Sequence, residues 1–152
     1  MASKNKNMAI IRRSLVYPSV ISQSHSIFIR HLDCGSCNAC ELELQALYTP
    51  VYDIVQYGIH LVASPRHADL LTMTGPYTCN MDAAARTTLA NMPTPRVVTI
   101  GDCTQNGGDF KLSYAICEVP REIEKAIIAH VPGCPPAPID ILKTLLSIRI
   151  DL

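Results

Sequence analysis

The sequence predicts an α/β fold, a mostly parallel sheet of four or five strands covered by helices on both faces. Three observations carry that expectation. Short strand-like runs alternate with helical ones along the chain. One of them, Arg96 to Ile100, is almost continuously apolar, the pattern of a strand buried on both sides. No repeat or internal linker divides the 152 residues, about one domain's length and enough to bury about two thirds of the unfolded surface.

Residues 1–24 are polar and aperiodic, with Lys4, Lys6, Arg12 and Arg13 scattered among them. They read as an extension with a solvated cationic cluster, ahead of a single domain over residues 25–152. Arg12-Arg13 has the look of an export signal, but Leu15-Val16-Tyr17 stops at Pro18 before an apolar core can form, so a cleaved leader is not expected. Ser26 to Leu32 is strand-like. His31 alternates with apolar residues on it and reads as a core or edge histidine with a hydrogen-bond partner, not as a ligand.

A loop with three cysteines follows at once. Glu41 to Thr49 then forms a short helix stopped by Pro50. Gly58 to Ala63 and Asp69 to Thr74 are further strands, the second ending at Gly75-Pro76, with Arg66 and His67 in the turn between them. That pair reads equally as a solvated pair or as a group near the site or an interface. The alanine-rich run Asn80 to Asn91 favours helix and stops at Pro93. After strand Arg96 to Ile100 comes the loop "GDCTQNGGDF". Ile123 to Val131 mixes helical and strand character, its end "AIIAHV" reading as a last strand before "PGCPPAP". Ile139 to Ile148 closes the chain as a helix.

Thirteen Lys and Arg balance thirteen Asp and Glu, so there is no broad basic footprint and nucleic acid is not an expected partner. No run reaches the ~20 apolar residues of a membrane span, because Pro, His, Arg or Asp interrupts each candidate. The chain is nonetheless apolar, with 48% hydrophobic residues and a mean hydropathy of +0.17, which points to surface covered by another subunit. Seven cysteines in a chain without an evident leader argue for a metal or redox site over a disulfide scaffold.

Cys34, Cys37 and Cys40 stand at C-x2-C-x2-C spacing, one thiol short of a four-ligand site. A ferredoxin-type run needs the fourth at position 44, which is Leu44. Cys103 and Cys134 each follow a predicted strand, and in an open parallel sheet such ends converge on one edge. Gly101, Gly107-Gly108 and Gly133-Cys134-Pro135 let backbone approach a bound group closely. Two alternatives stay open from spacing: an iron-sulfur cluster, or zinc held by the same kind of thiolate set, although zinc modules usually present two C-x2-C knuckles. Cys79 and Cys117 read as buried hydrophobes. No glycine-rich phosphate loop follows the first strand, which argues against a nucleotide-binding enzyme.

With "CGSCNACELE", "SPRHADLLTMTGP", "GDCTQNGG" and "VPGCPPAP" occurring in that order, the chain resembles the small, cluster-bearing subunit of membrane-bound, energy-converting nickel-iron hydrogenases. That group includes formate hydrogenlyase and the CO-linked and Ech-type enzymes, and the complex I 20 kDa subunit beside quinone is related to it. The resemblance implies a flavodoxin-like α/β domain binding one 4Fe-4S cluster through Cys37, Cys40, Cys103 and Cys134, with Ala39 where hydrogenases usually carry glycine. Cys34 falls outside the match and stands as the alternative to Cys40. Complex I relatives carry two adjacent cysteines at this point, and their absence here favours the hydrogenase branch over a quinone reductase.

The implied work is a one-electron relay, from a ferredoxin-like (polyferredoxin) subunit to the nickel-iron centre of the hydrogenase large subunit. Membrane subunits would hold the complex on the cytoplasmic side of the cell membrane, with this chain peripheral and inactive alone. Glu41 reads as helix-start electrostatics. Glu43 matches the acidic position shared with complex I relatives and is expected to face the large subunit, in proton delivery or interface hydrogen bonding.

Overall fold

The computed structural model describes residues 26–150. The extension and its cationic cluster expected over residues 1–24 lie outside the described residues. Five strands form one parallel sheet: β1 (Ile27–Asp33), β2 (Ile59–Leu61), β3 (Leu70–Thr74), β4 (Val97–Ile100) and β5 (Ile127–Val131), in the order β2-β1-β3-β4-β5. This is the flavodoxin-like order, and the direction of winding reverses at β1/β3. β3 and β4 are central and every residue in them is buried, which is why their sequences are runs of apolar residues and threonine without alternation.

One face packs under α1 (Ala39–Ala46) and α5 (Pro138–Ile150), whose Leu44, Ile141, Leu142 and Leu145 meet Ile27, Ile29, Val98 and Ile100. The other face packs under α2 (Asp82–Ala90) and α4 (Arg121–Ala126), through Ala85, Leu89, Ile123 and Ala126 against Leu32, Leu71, Met73 and Val97. Helices thus cover both faces, as expected. Between β4 and α4 lies one more turn of helix, α3 (Cys103–Asn106).

The departures from the sequence reading have local causes. α1 begins at Ala39, two residues early, because Asn38 enters it in the left-handed region (φ 71°) with no side-chain cap to mark the start. It also ends at Ala46, before Pro50. The amides of Leu47, Tyr48 and Thr49 bond three residues back and tighten the chain into turns. α4 runs directly into β5 with no breaker between them, so its sequence reads as mixed.

Cys79 and Cys117 are not buried hydrophobes. Cys79 is exposed, Cys117 is half-buried, and the two form a disulfide that ties the turn before α2 to the loop before α4. His31 does have partners, its Nδ1 lying 3.1 Å from Thr72 Oγ1. Arg66 and His67 are exposed in a turn before β3, at the opposite end of that strand from the cysteine loops, with Arg66 Nε donating to Asn91 Oδ1.

Candidate metal centre

Pairs of loops are stapled to each other at the C-terminal edge of the sheet. After β1, the Cys34 amide donates to the Thr74 carbonyl at the end of β3 (3.0 Å). Asp33 Oδ1 accepts the amides of Gly35 and Ser36, which turns the chain sharply. Gly75 presses so close that a Cβ there would lie 2.5 Å from the Ser36 nitrogen. After β4 and β5, the Asp102 amide donates to the Gly133 carbonyl (2.9 Å), and the Gly133 amide donates to Asp102 Oδ1 (2.8 Å). That reciprocal pair holds Cys103 beside Cys134.

The two stapled pairs meet. A Cβ on Gly101 would lie 2.6 Å from Cys40 Sγ, and one on Gly108 would lie 3.0 Å from Cys103 Sγ. Only glycine leaves these sulfurs their space, and Gly101 also has a φ of +92° that a side chain would strain. The loops that carry Cys37, Cys40, Cys103 and Cys134 therefore share this edge. Cys40 lies within reach of the charges of Cys103, Cys37 and Cys134, and Cys103 within reach of Cys134 and Cys37. Cys37 and Cys134 are exposed, while Cys40 and Cys103 are half-buried.

Cys34 stands apart. It is buried in the core on the α2/α4 face with Leu32, Met73 and Tyr77, whereas Cys40 packs on the α1/α5 face. Burial, then the Asp33 carboxylate, pushes the Cys34 thiol up to about 12. Burial also raises Cys40 to about 12, followed by Glu41 and the other three thiols. Cys103 is raised too, by burial first and then by Cys134. Crowded sulfurs of this kind resist carrying several negative charges unless a cationic centre neutralises them, the condition under which a coordinating thiol ionises outright.

Among the described residues, no three His, Cys, Asp or Glu side chains converge tightly enough to hold one metal ion. A single zinc needs sulfurs ~3.8 Å apart, from Zn–S bonds of ~2.3 Å. A four-iron cluster takes one thiolate at each corner, so its ligands stand farther apart. Thiolate donors suit either group, and Gly101, where a Cβ would strike Cys40 Sγ, keeps the space beside that sulfur open.

Glu41, which the sequence marks only as a helix-start charge, is built into this edge. It is buried, at 9% exposure, accepting from Ser36 Oγ (2.6 Å) and Thr74 Oγ1, with His31 Nε2 3.8 Å from Oε1. Glu43 is half-buried, and its carboxylate has no partner among the described residues.

Residues 37–148 match the family described as NADH ubiquinone oxidoreductase, 20 kDa subunit. The chain belongs to this family. A probable membrane-bound hydrogenase subunit, mbhJ, of Pyrococcus furiosus is 35% identical over 143 residues, 93% of this chain and 84% of that one. Formate hydrogenlyase subunit 7 of Escherichia coli is 37% identical over 114 residues, 74% of this chain and 44% of the relative, so this chain spans less than half of that protein's length. A solved structure of the membrane-bound sulfane sulfur reductase, an archaeal respiratory membrane complex, matches with a TM-score of 0.67 at 27% identity, over 84% of this chain and 72% of that one. This 20 kDa-type chain is thus an iron-sulfur kind of subunit of oxidoreductase complexes, with an electron-transfer role.

Proposed function

We propose that this chain holds the proximal 4Fe-4S cluster of a membrane-bound, H2-evolving nickel-iron hydrogenase, passing electrons from a ferredoxin-like subunit to the nickel-iron centre of a large subunit. The observation that supports the reading is that three separate loops bearing Cys37, Cys40, Cys103 and Cys134 lie at one edge of the sheet, with glycine where a Cβ would strike a sulfur. When bound, such a cluster supplies a one-electron carrier whose potential is set by charge, burial and hydrogen bonds. Those four thiolates would hold it, and the Asp102–Gly133 pair keeps two of them in register.

Glu43, without a partner of its own, is proposed to meet the large subunit, where it assists proton delivery or interface hydrogen bonding. Among the described residues no helix is long and apolar enough to cross a membrane. The proposed attachment is peripheral, on the cytoplasmic side, through membrane subunits of the complex, a reading supported by relatives that belong to membrane-bound complexes.

A second reading keeps the relay and changes the acceptor, to quinone or a sulfur compound. It is favoured by the family's description and by the match to the sulfane sulfur reductase complex. Against quinone stands Ala39-Cys40, where complex I relatives carry two adjacent cysteines.

Anaerobic reconstitution of the full chain tests the site. The expected product is brown, binds about four iron and about four sulfide per chain, and gives an EPR signal on reduction. C37S, C40S, C103S and C134S each abolish that signal, and C34S keeps it. A colourless chain holding one zinc overturns the proposal. Nickel in the partner that co-purifies with the chain separates hydrogenase from the second reading.

A further inference from the structure

We infer that Glu41 is the positioning residue of this centre, anchoring the Cys37–Cys40 loop to the end of β3 and setting a fixed negative charge that lowers the reduction potential of the group bound there. The inference rests on the cluster reading of the four thiols.

The sequence position alone suggests something weaker. An acidic residue in the first turn of a helix is favoured by the helix dipole, and it gains that from an exposed position as well as from a buried one. Glu41 is buried, and a carboxylate taken out of water is costly unless its oxygens are hydrogen-bonded. Both are. Ser36 Oγ donates to Oε2 at 2.6 Å and Thr74 Oγ1 donates to Oε1.

Each donor ties the carboxylate to a different part of the site. Ser36 immediately precedes Cys37, its hydroxyl also accepts the Asn38 amide (3.1 Å), and its own amide is held by Asp33. Thr74 is the fully buried last residue of β3. Glu41 itself follows Cys40 within α1. One carboxylate therefore joins the residue before the first thiol, the residue after the second and the central sheet. Behind it, His31 stands 3.8 Å from Oε1 and is itself placed by Thr72, so the carboxylate is walled in on the protein side. A fixed anion beside a redox group opposes the arrival of an electron, and it does so more strongly where water is excluded. Glu43, two residues on, is half-buried with no such partners, and its field is screened by solvent.

The test is an EPR-monitored redox titration of the reconstituted full chain, with circular dichroism as the check on folding and iron release to a chelator as the check on anchoring. Glu41→Gln is expected to move the midpoint potential upward and to speed iron release. Glu41→Asp, which restores the charge on a shorter arm, is expected to bring the potential back towards wild type. Glu43→Gln is expected to move it less than Glu41→Gln does. A folded E41Q chain that takes up no cluster, with uptake restored in E41D, also supports the anchoring role. If E41Q binds its cluster at wild-type potential and releases iron at the wild-type rate, or if E43Q shifts the potential more, the inference is overturned. A wild-type chain that incorporates no cluster instead overturns the reading of the site on which it rests.

Discussion

At the scale of single residues, the polar groups inside this sheet are the informative ones. Thr72, Thr74 and Thr99 sit among apolar strands because each pairs its hydroxyl with a nearby polar side chain: Thr72 with His31, Thr74 with Glu41, Thr99 with His130. The two histidines make stability depend on pH. Burial holds the pKa of His31 below the ordinary value of 6.5, outweighing Glu41 and Asp33, which pull the other way, with Arg30 adding to the depression. His130 is depressed for the same first reason, opposed by Asp102. The folded chain thus binds fewer protons at these rings than the unfolded chain does. Their contribution to stability is complete above pH 6.5 and is lost as pH falls below it. Urea unfolding of the iron-free chain is expected to show a lower midpoint at about pH 5.5 than at about pH 7.5, on either side of the ordinary histidine range, and H31Q is expected to flatten that dependence. A midpoint that stays level or rises on acidification contradicts the burial argument.

At the scale of elements, what was legible in the sequence tracks how each segment buries itself. β3, β4 and α5 were plain because strands buried on both sides need unbroken apolar residues, and a long core helix shows its stripe. α3 was not, since Cys103-Thr-Gln-Asn is a single polar turn whose helicity comes from the chain's path around Gly107. The candidate cysteines were legible because the loops that carry them follow β1, β4 and β5. The burial of Glu41 was not legible, because a helix that starts two residues early sets this carboxylate inside the first turn, against Ser36 and Thr74. The Cys79–Cys117 pair left no local trace either, its members being 38 residues apart. That pair gives a direct test: titrating the unfolded, iron-free chain with a thiol reagent is expected to find five free thiols of the seven, rising to seven after reduction. Closing a loop of this length stabilises by about 3 to 5 kcal/mol on chain-entropy grounds, so C79S/C117S is expected to unfold at lower denaturant. Seven free thiols without reductant would remove the staple from the fold.

For the whole molecule, the parallel sheet decides where the chemistry sits and also what it leaves uncovered. All five strands point one way, so the loops after β1, β4 and β5 share one edge, and that edge is the side of the domain its own helices do not close. Cys37 and Cys134 are exposed there. The loop that continues from Cys103 carries Phe110, Leu112 and Tyr114 into solvent at 44%, 92% and 99% exposure. Apolar side chains that open are stable in water only at a cost, and a relay whose ligands face solvent loses its metal to competitors. Both would be relieved together by a partner subunit seated on this edge, as the apolar composition of the chain suggests. A chelator is accordingly expected to strip iron from the reconstituted isolated chain on the order of tenfold faster, or more, than from the same chain in its purified complex, since binding to the covered state alone suppresses opening by mass action. Iron release followed at one pH and temperature in both preparations measures this, and equal rates would mean that the cysteine edge needs no cover from another chain.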